Sequence, residues 1–181
     1  MNELNHHDAA DSGQRFELQT RNLFAQLGHP VLKYLSEFKE QGVDYYKYFS
    51  IKEHPLKQYG YQRGFETDGF VPTLNAMLEI KATKQELGTA QEKVFQDLLK
   101  IQYGVYNVEE GVKLLYILAG CMEYHECSVL FINLVNKFKK EGHPNFQNVH
   151  VLKLSEITSE LLNQFSISSS TQQTVLQELL K

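Results

Sequence analysis

The chain of 181 residues is poor in several things, and each shortage narrows the reading. It has two cysteines, Cys121 and Cys127, so a disulfide framework is excluded and a reducing, cytoplasmic setting is expected. It has no apolar run of membrane-spanning length, and the polar opening MNELNHHDAADSG lacks the apolar stretch of a signal peptide. It has no excess of positive charge: 18 basic against 22 acidic side chains leave a net −4. A uniformly basic, nucleic-acid-coating protein is thereby excluded, whereas a local basic groove is not. P-loop, G-x-G-x-x-G and H-E-x-x-H patterns are absent, which removes support for nucleotide-binding and zinc-protease readings. His6, His7, His29, His54 and His150 show no ligand spacing.

What is present is a regular alternation of helical and extended segments in a chain long enough for one domain with a proper core. Residues 1–12 are expected to be a disordered tail, 13–165 the domain, and 166–181 a C-terminal tail with a short helix, TVLQELLK. Phe16, Thr20, Leu23, Phe24 and Leu27 recur at helical spacing, with Ser12 as the expected N-cap and Gly28–Pro30 as the stop. A short helix is expected near 31–40, then a strand over 62–71 and a stronger one in NAMLEIKAT. A helix from Thr89 follows, where Thr89 and Glu92 have capping-box spacing. Next come a buried strand in VKLLYILAG, a helix over ECSVLFINLVNKFKK, a strand in NVHVLKLSE, and a helix capped by Ser155 that runs to about Phe165. This order predicts an α/β fold with helices on both faces of a mixed sheet, a three-layer α/β/α sandwich.

NAMLEIKAT holds the anomaly. Side chains alternate along a strand, so Leu78, Ile80 and Ala82 share one face while Met77, Glu79 and Lys81 share the other. On the preceding segment, Glu66, Asp68 and Phe70 are expected to share a face. If the two segments pair as a hairpin, Asp68 and Glu79 converge. Two adjacent carboxylates repel and raise each other's pKa unless a cation lies between them. Mg²⁺ suits such a pair, because one or two carboxylates plus water and phosphate oxygens complete its shell. With Lys81 beside them, the set fits phosphodiester hydrolysis. Spacing alone leaves a plainer reading open: a solvent-facing sheet with a Glu–Lys pair that contributes under ~1 kcal/mol.

The acidic residue on one strand followed by Glu-X-Lys on the next, here Asp68 and then Glu79-Ile80-Lys81, resembles the PD-(D/E)XK nuclease superfamily. Thr67 stands where the family signature has Pro. The following ATKQELGTAQEKVFQDLLK resembles the segment after Glu-X-Lys in type II restriction endonucleases. The motif match covers about residues 66–100. The resemblance implies a restriction-endonuclease-like fold and a Mg²⁺-dependent, site-specific endonuclease of double-stranded DNA, with Mn²⁺ able to substitute. It implies a homodimer, and a cognate DNA methyltransferase as a companion in the same system. Asp68, Glu79 and Lys81 become the catalytic residues, with Asp68 and Glu79 on the metal. Glu17, on a first helix similar to the family's, becomes the third acid. Glu66 competes for that role, and an ion pair of Glu17 with Arg21 is the structural alternative. The other readings are a resolvase, repair or transposition nuclease of the same superfamily, a non-catalytic DNA-binding or partner subunit with the same fold, and an α/β interaction domain.

Lys57 and Arg63 lie in the Tyr- and Lys-rich segment 45–65 and are candidate DNA contacts, as are Gln91 and Lys93 at the start of the Thr89 helix. The aromatics of 45–65 are expected chiefly to form a packed cluster. Cys121, His125 and Cys127 are zinc-type ligands in one short segment, but only three lie together and His143 is distant. A loop with a half-buried cysteine at each end is the simpler expectation.

Overall fold

A computed structural model describes residues 4–83 and 89–166, with side chains over 13–83 and 93–166. Its elements follow the expected order. Helix α1 (Leu4–Gln26) leads to α2 (Leu35–Glu40), α3 (Tyr45–Tyr48) and a small ladder of β1 (Ser50–Ile51) with β2 (Phe65–Glu66). The main sheet starts with β3 (Gly69–Val71) and β4 (Ala76–Thr83). Helix α4 (Thr89–Gln102), β5 (Lys113–Gly120), α5 (Glu126–Lys140), β6 (Val149–Lys153) and α6 (Ser159–Asn163) complete it.

The sheet order is β3-β4-β5-β6, mixed, with β3 antiparallel to β4 and the other two pairs parallel. A tight turn suffices for the antiparallel pair: Pro72 opens a single 3-10 turn, and Asn75 ends it in the left-handed region at φ 48°. The parallel pairs require crossovers, which α4 and α5 supply. One sheet face carries Leu78, Ile80, Leu115 and Ile117 against Phe16, Leu23 and Phe24 of α1. The other carries Met77, Tyr116 and Leu118 against Val94 and Ile101 of α4 and Phe131 and Val135 of α5. Among the described residues no helix is long and apolar enough to cross a membrane.

Several boundaries differ from the sequence-based expectation. Helix α1 begins at Leu4, so Ser12 lies inside it rather than capping it. No proline interrupts that stretch, and Ala9 and Ala10 favour the helix. The expected strand over 62–71 is two short strands in two sheets. Thr67 makes the switch. Its N–H donates to the Phe49 carbonyl and its hydroxyl to the Tyr48 carbonyl, while the next N–H, that of Asp68, donates to the Leu78 carbonyl of β4. The last helix is capped by Thr158, not Ser155; Ser155 lies in a 3-10 turn and bonds to buried Glu123. The C-terminal segment TVLQELLK lies outside the described residues.

Gly120 ends β5 at φ 61°. A Cβ there would run into the Thr83 carbonyl oxygen and stand 2.8 Å from Phe16 Cζ. Neither the left-handed backbone nor the close approach of α1 tolerates a side chain. Gly120→Ala is expected to cost about 2–3 kcal/mol by overpacking, read as a lowered denaturation midpoint. An unchanged midpoint would mean that α1 does not pack closely here.

Candidate active site

The centre of the molecule is charged where its neighbours are apolar. Glu79 is 4% exposed and Asp97, on α4, is 1% exposed. The plainer reading, a solvent-facing sheet with a surface Glu–Lys pair, is therefore overturned. The period-two alternation of β4 does place Glu79 and Lys81 on the Met77 face, but α4 and α5 cover that face.

The strand register brings the acids together. Gly69 pairs with Leu78, so one step further along the antiparallel ladder sets Asp68 opposite Glu79. Asp68 Oδ2 accepts the Ile80 N–H at 2.6 Å, which fixes its carboxylate beyond the end of β3. Asp68 is partly buried, so the cluster reaches the surface on that side. Lys81 Nζ lies 2.6 Å from Glu79 Oε1 and 3.0 Å from Asp97 Oδ2. Asp97 Oδ2 also accepts the Tyr116 hydroxyl at 2.9 Å, and its Oδ1 faces Lys100 Nζ at 2.7 Å. Among the described residues, buried Glu79 Oε2 has no hydrogen-bond partner.

Burial dominates the electrostatics. It pushes the Glu79 carboxyl up to about 7; Lys81 opposes the shift, while Asp68 and Asp97 add to it. Asp68 is raised as well, by burial first and by Glu17, against Lys81 and the Ile80 N–H. For Lys81, burial alone would favour the neutral amine. The carboxylates of Glu79, Asp97 and Asp68 more than offset this and hold its pKa above the usual value, so it stays charged at neutral pH. Burial also raises Tyr106 and Tyr116, which stay neutral hydroxyls beside the acids.

A raised carboxyl pKa has a definite sign in stability. Between the ordinary 4.5 and about 7, folded Glu79 holds more of its proton than the unfolded chain does. Stability therefore falls as pH rises through that window, and Asp68 acts in the same direction. Glu79→Gln removes the larger part of this dependence. Measured without divalent ions, the variant is expected to melt a few degrees above the parent at pH 8 and to lose that advantage by pH 5. A gap that does not change with pH would contradict the raised value.

The other expected site residues are spread more widely. Glu17 of α1 is ion-paired with Lys33, not Arg21, and Arg21 is taken by Glu37 at 3.0 Å. Glu17 and Lys33 both lie within electrostatic reach of Asp68. Glu66 is exposed and pairs with Ser50 in the small ladder, so it belongs to a different sheet from the strand that Asp68 precedes. Lys57 pairs with Glu53 at 2.7 Å, and Arg63 is exposed. Lys57, Lys52 and Glu66 line an open polar cleft of about 660 Å³ that does not include Asp68, Glu79 or Lys81. Lys93 is exposed on the second turn of α4, whereas the side chains of Gln91 and of the Thr89–Glu92 capping box lie outside the described residues. Some of the aromatics of 45–65 pack: Tyr45 stacks on Phe49 at 5.1 Å and Tyr48 on Phe70 at 4.3 Å, whereas Tyr46, Tyr59 and Tyr61 are exposed. His125 Nδ1 accepts the Cys127 N–H as the N-cap of α5, which turns one of the three zinc-type ligands to helix capping.

Asp97, Lys100 and Tyr116 were not among the expected site residues. A signal for Asp97 was present. Val94, Asp97 and Ile101 are buried at i, i+3 and i+7 on α4, so a charge stands on the apolar stripe of a helix, as Glu79 does on a strand.

Among the described residues no three His, Cys, Asp or Glu side chains converge on one metal position. A hard cation such as Mg²⁺ does not need three, and two carboxylates with water and phosphate suffice. The donors at hand are carboxylate oxygens, and the unpartnered Glu79 Oε2 is the kind of buried acceptor that such an ion satisfies. The residues therefore fit the ion. Comparison with protein-family models, with curated proteins and with solved structures finds no match to this chain.

Proposed function

We propose that the chain is a Mg²⁺-dependent endodeoxyribonuclease of the PD-(D/E)XK type that hydrolyses double-stranded DNA in the manner of a type II restriction enzyme. One observation carries this reading: Asp68, one step beyond the β3–β4 ladder, stands opposite Glu79, with Lys81 on the face of Glu79, Glu79 buried, and Asp68 and Lys81 half-buried at the opening to solvent. The packing of α1 on one sheet face and of α4 and α5 on the other supports the finer fold reading, a three-layer α/β/α sandwich of restriction-endonuclease type.

Asp68 and Glu79 would hold Mg²⁺, or Mn²⁺ in its place, and Glu17 would join them only by leaving Lys33. When bound, the ion supplies an activated water and offsets charge on the phosphorus. The chain's own groups do the rest. The Ile80 N–H fixes the Asp68 carboxylate. Lys81 remains an ammonium, so it orients the attacking water as a donor and balances negative charge on the scissile phosphate rather than taking a proton. Lys57, Arg63, Gln91 and Lys93 are the proposed DNA contacts, Lys57 after release from Glu53. Cutting both strands of a palindrome calls for two such sites, hence a homodimer. A cytoplasmic setting with a partner methyltransferase accords with this role.

The deciding experiment incubates the protein with supercoiled plasmid and Mg²⁺, with and without EDTA. Discrete, EDTA-sensitive fragments that disappear in Asp68→Asn and Glu79→Gln support restriction cleavage. A smear, or a preference for branched DNA, points instead to a repair or resolvase nuclease. No cleavage with any divalent ion overturns the enzyme reading and leaves a DNA-binding or partner subunit.

A further inference from the structure

We infer that Asp97 is a positioning residue that acts through Lys81 to govern how readily a divalent cation reaches Glu79. The inference rests on the nuclease reading and adds to it a residue outside the Asp68 and Glu79-Ile80-Lys81 motif. Asp97 belongs to α4 and is almost completely buried. Its two oxygens receive three donors: Lys100 Nζ at 2.7 Å on Oδ1, and Tyr116 Oη at 2.9 Å and Lys81 Nζ at 3.0 Å on Oδ2. Lys81 is in turn 2.6 Å from Glu79 Oε1. One ammonium is thus shared between two buried carboxylates on different elements.

Lys81 and a divalent ion are rivals for Glu79, since both are cations that seek the same carboxylate. An ion can approach the unpartnered Oε2, but the ammonium on Oε1 repels it and shares the same carboxylate charge, so the ion binds more tightly as Lys81 leans away, and a buried ammonium leans away only toward another acceptor. Asp97 is that acceptor. Tyr116 and Lys100 hold its carboxylate in place, so Lys81 can leave Glu79 without leaving the site. Without the charge on Asp97, Lys81 would turn wholly to Glu79 and compete more strongly with the ion. Groups that orient direct ligands in this way typically change metal affinity by about 10–100-fold.

The test is calorimetric titration of Mg²⁺ into the full chain without DNA, so the readout is affinity and not cleavage. Asp97→Asn is expected to weaken Mg²⁺ binding about tenfold. Tyr116→Phe, which loosens Asp97 but keeps its charge, is expected to weaken binding by less and in the same direction. In a Lys81→Met background, Asp97→Asn is expected to have no further effect, because the coupling passes through Lys81. Affinity within twofold of the parent in a folded Asp97→Asn variant overturns the inference. So does an equal loss in the Lys81→Met background. If a charge-removing variant fails to fold, Tyr116→Phe decides, and unchanged affinity there is also fatal. A parent chain that takes up no Mg²⁺ brings down the nuclease reading together with this inference. A parent that binds Mg²⁺ with the variants unaffected brings down the inference alone.

Discussion

On the proposed nuclease reading, Asp68→Asn and Glu79→Gln are each expected to lower Mg²⁺-dependent DNA cleavage by roughly a thousandfold, the upper range for removing one preorganised electrostatic group. Both variants will remain folded. Each substitution keeps the shape of the side chain and removes its charge. Asparagine at 68 retains a carbonyl to accept the Ile80 N–H, so the end of β3 keeps its anchor. Glutamine at 79 retains an oxygen for Lys81. What each loses is the negative charge that a hard cation requires. Parallel measurement of cleavage rate and thermal midpoint separates the effects: a large loss of rate with an unchanged or raised midpoint is expected. A loss of rate that merely follows loss of structure would remove these residues from the chemistry, and near-normal rates would remove them from the metal.

Lys81→Met will have the largest effect on stability, with a loss of about 3–5 kcal/mol, the usual result of removing one partner from a buried ionic cluster. Lys81 bridges Glu79 and Asp97, both almost wholly withdrawn from water. Methionine fills much of the same volume, so the loss comes from charge and not from a cavity. Lys100 still faces Asp97 Oδ1, and Tyr116 still donates to Oδ2, so Glu79 is the group left stranded. The double variant Lys81→Met with Glu79→Gln will therefore recover part of the stability, as coupled neighbours should. Chemical denaturation at pH 7.5 checks both statements. A loss below about 1 kcal/mol would assign Lys81 the small value of an exposed pair.

The Glu79 result bears on why such a cluster is present at all. Burial holds the Glu79 carboxyl up to about 7, so near neutral pH the fold carries a strained acid whose other oxygen, among the described residues, has no partner. A purely structural strand would gain from an apolar side chain at that position. A stability cost concentrated on named polar groups is characteristic of sites shaped for a ligand rather than for the fold.

Much of this was legible in the residue order, and the failures are equally specific. The face shared by Glu79 and Lys81 follows from the period of two, a local property of any extended backbone, and it held from Ala76 to Ala82. The same rule does not carry from Glu66 to Asp68, because Thr67 ties the chain first to Phe49 and Tyr48 and only then passes it to β4, so the two acids stand in different ladders. Alternation holds within a ladder and not across a change of partner. Glu17 was expected as a third acid, with an ion pair to Arg21 one helical turn away as the alternative; it is ion-paired instead with Lys33 from the following segment.

The sequence by itself determined most of the elements and their order, and that an acid precedes Glu-X-Lys; the hairpin that sets the two opposite each other stood as a condition, met by the fold. The elements depend on backbone periodicity and turn residues, whereas the hairpin rests on the short Pro72–Asn75 turn seen in the fold. Only the tertiary structure decided that the charged face of β4 lies under α4 and α5, and that Asp97 and Tyr116 meet Lys81 there. Those contacts join residues sixteen or more positions apart on different elements. Which of them form depends on how helices and sheet pack to bury the most apolar surface, and spacing along the chain does not carry that information.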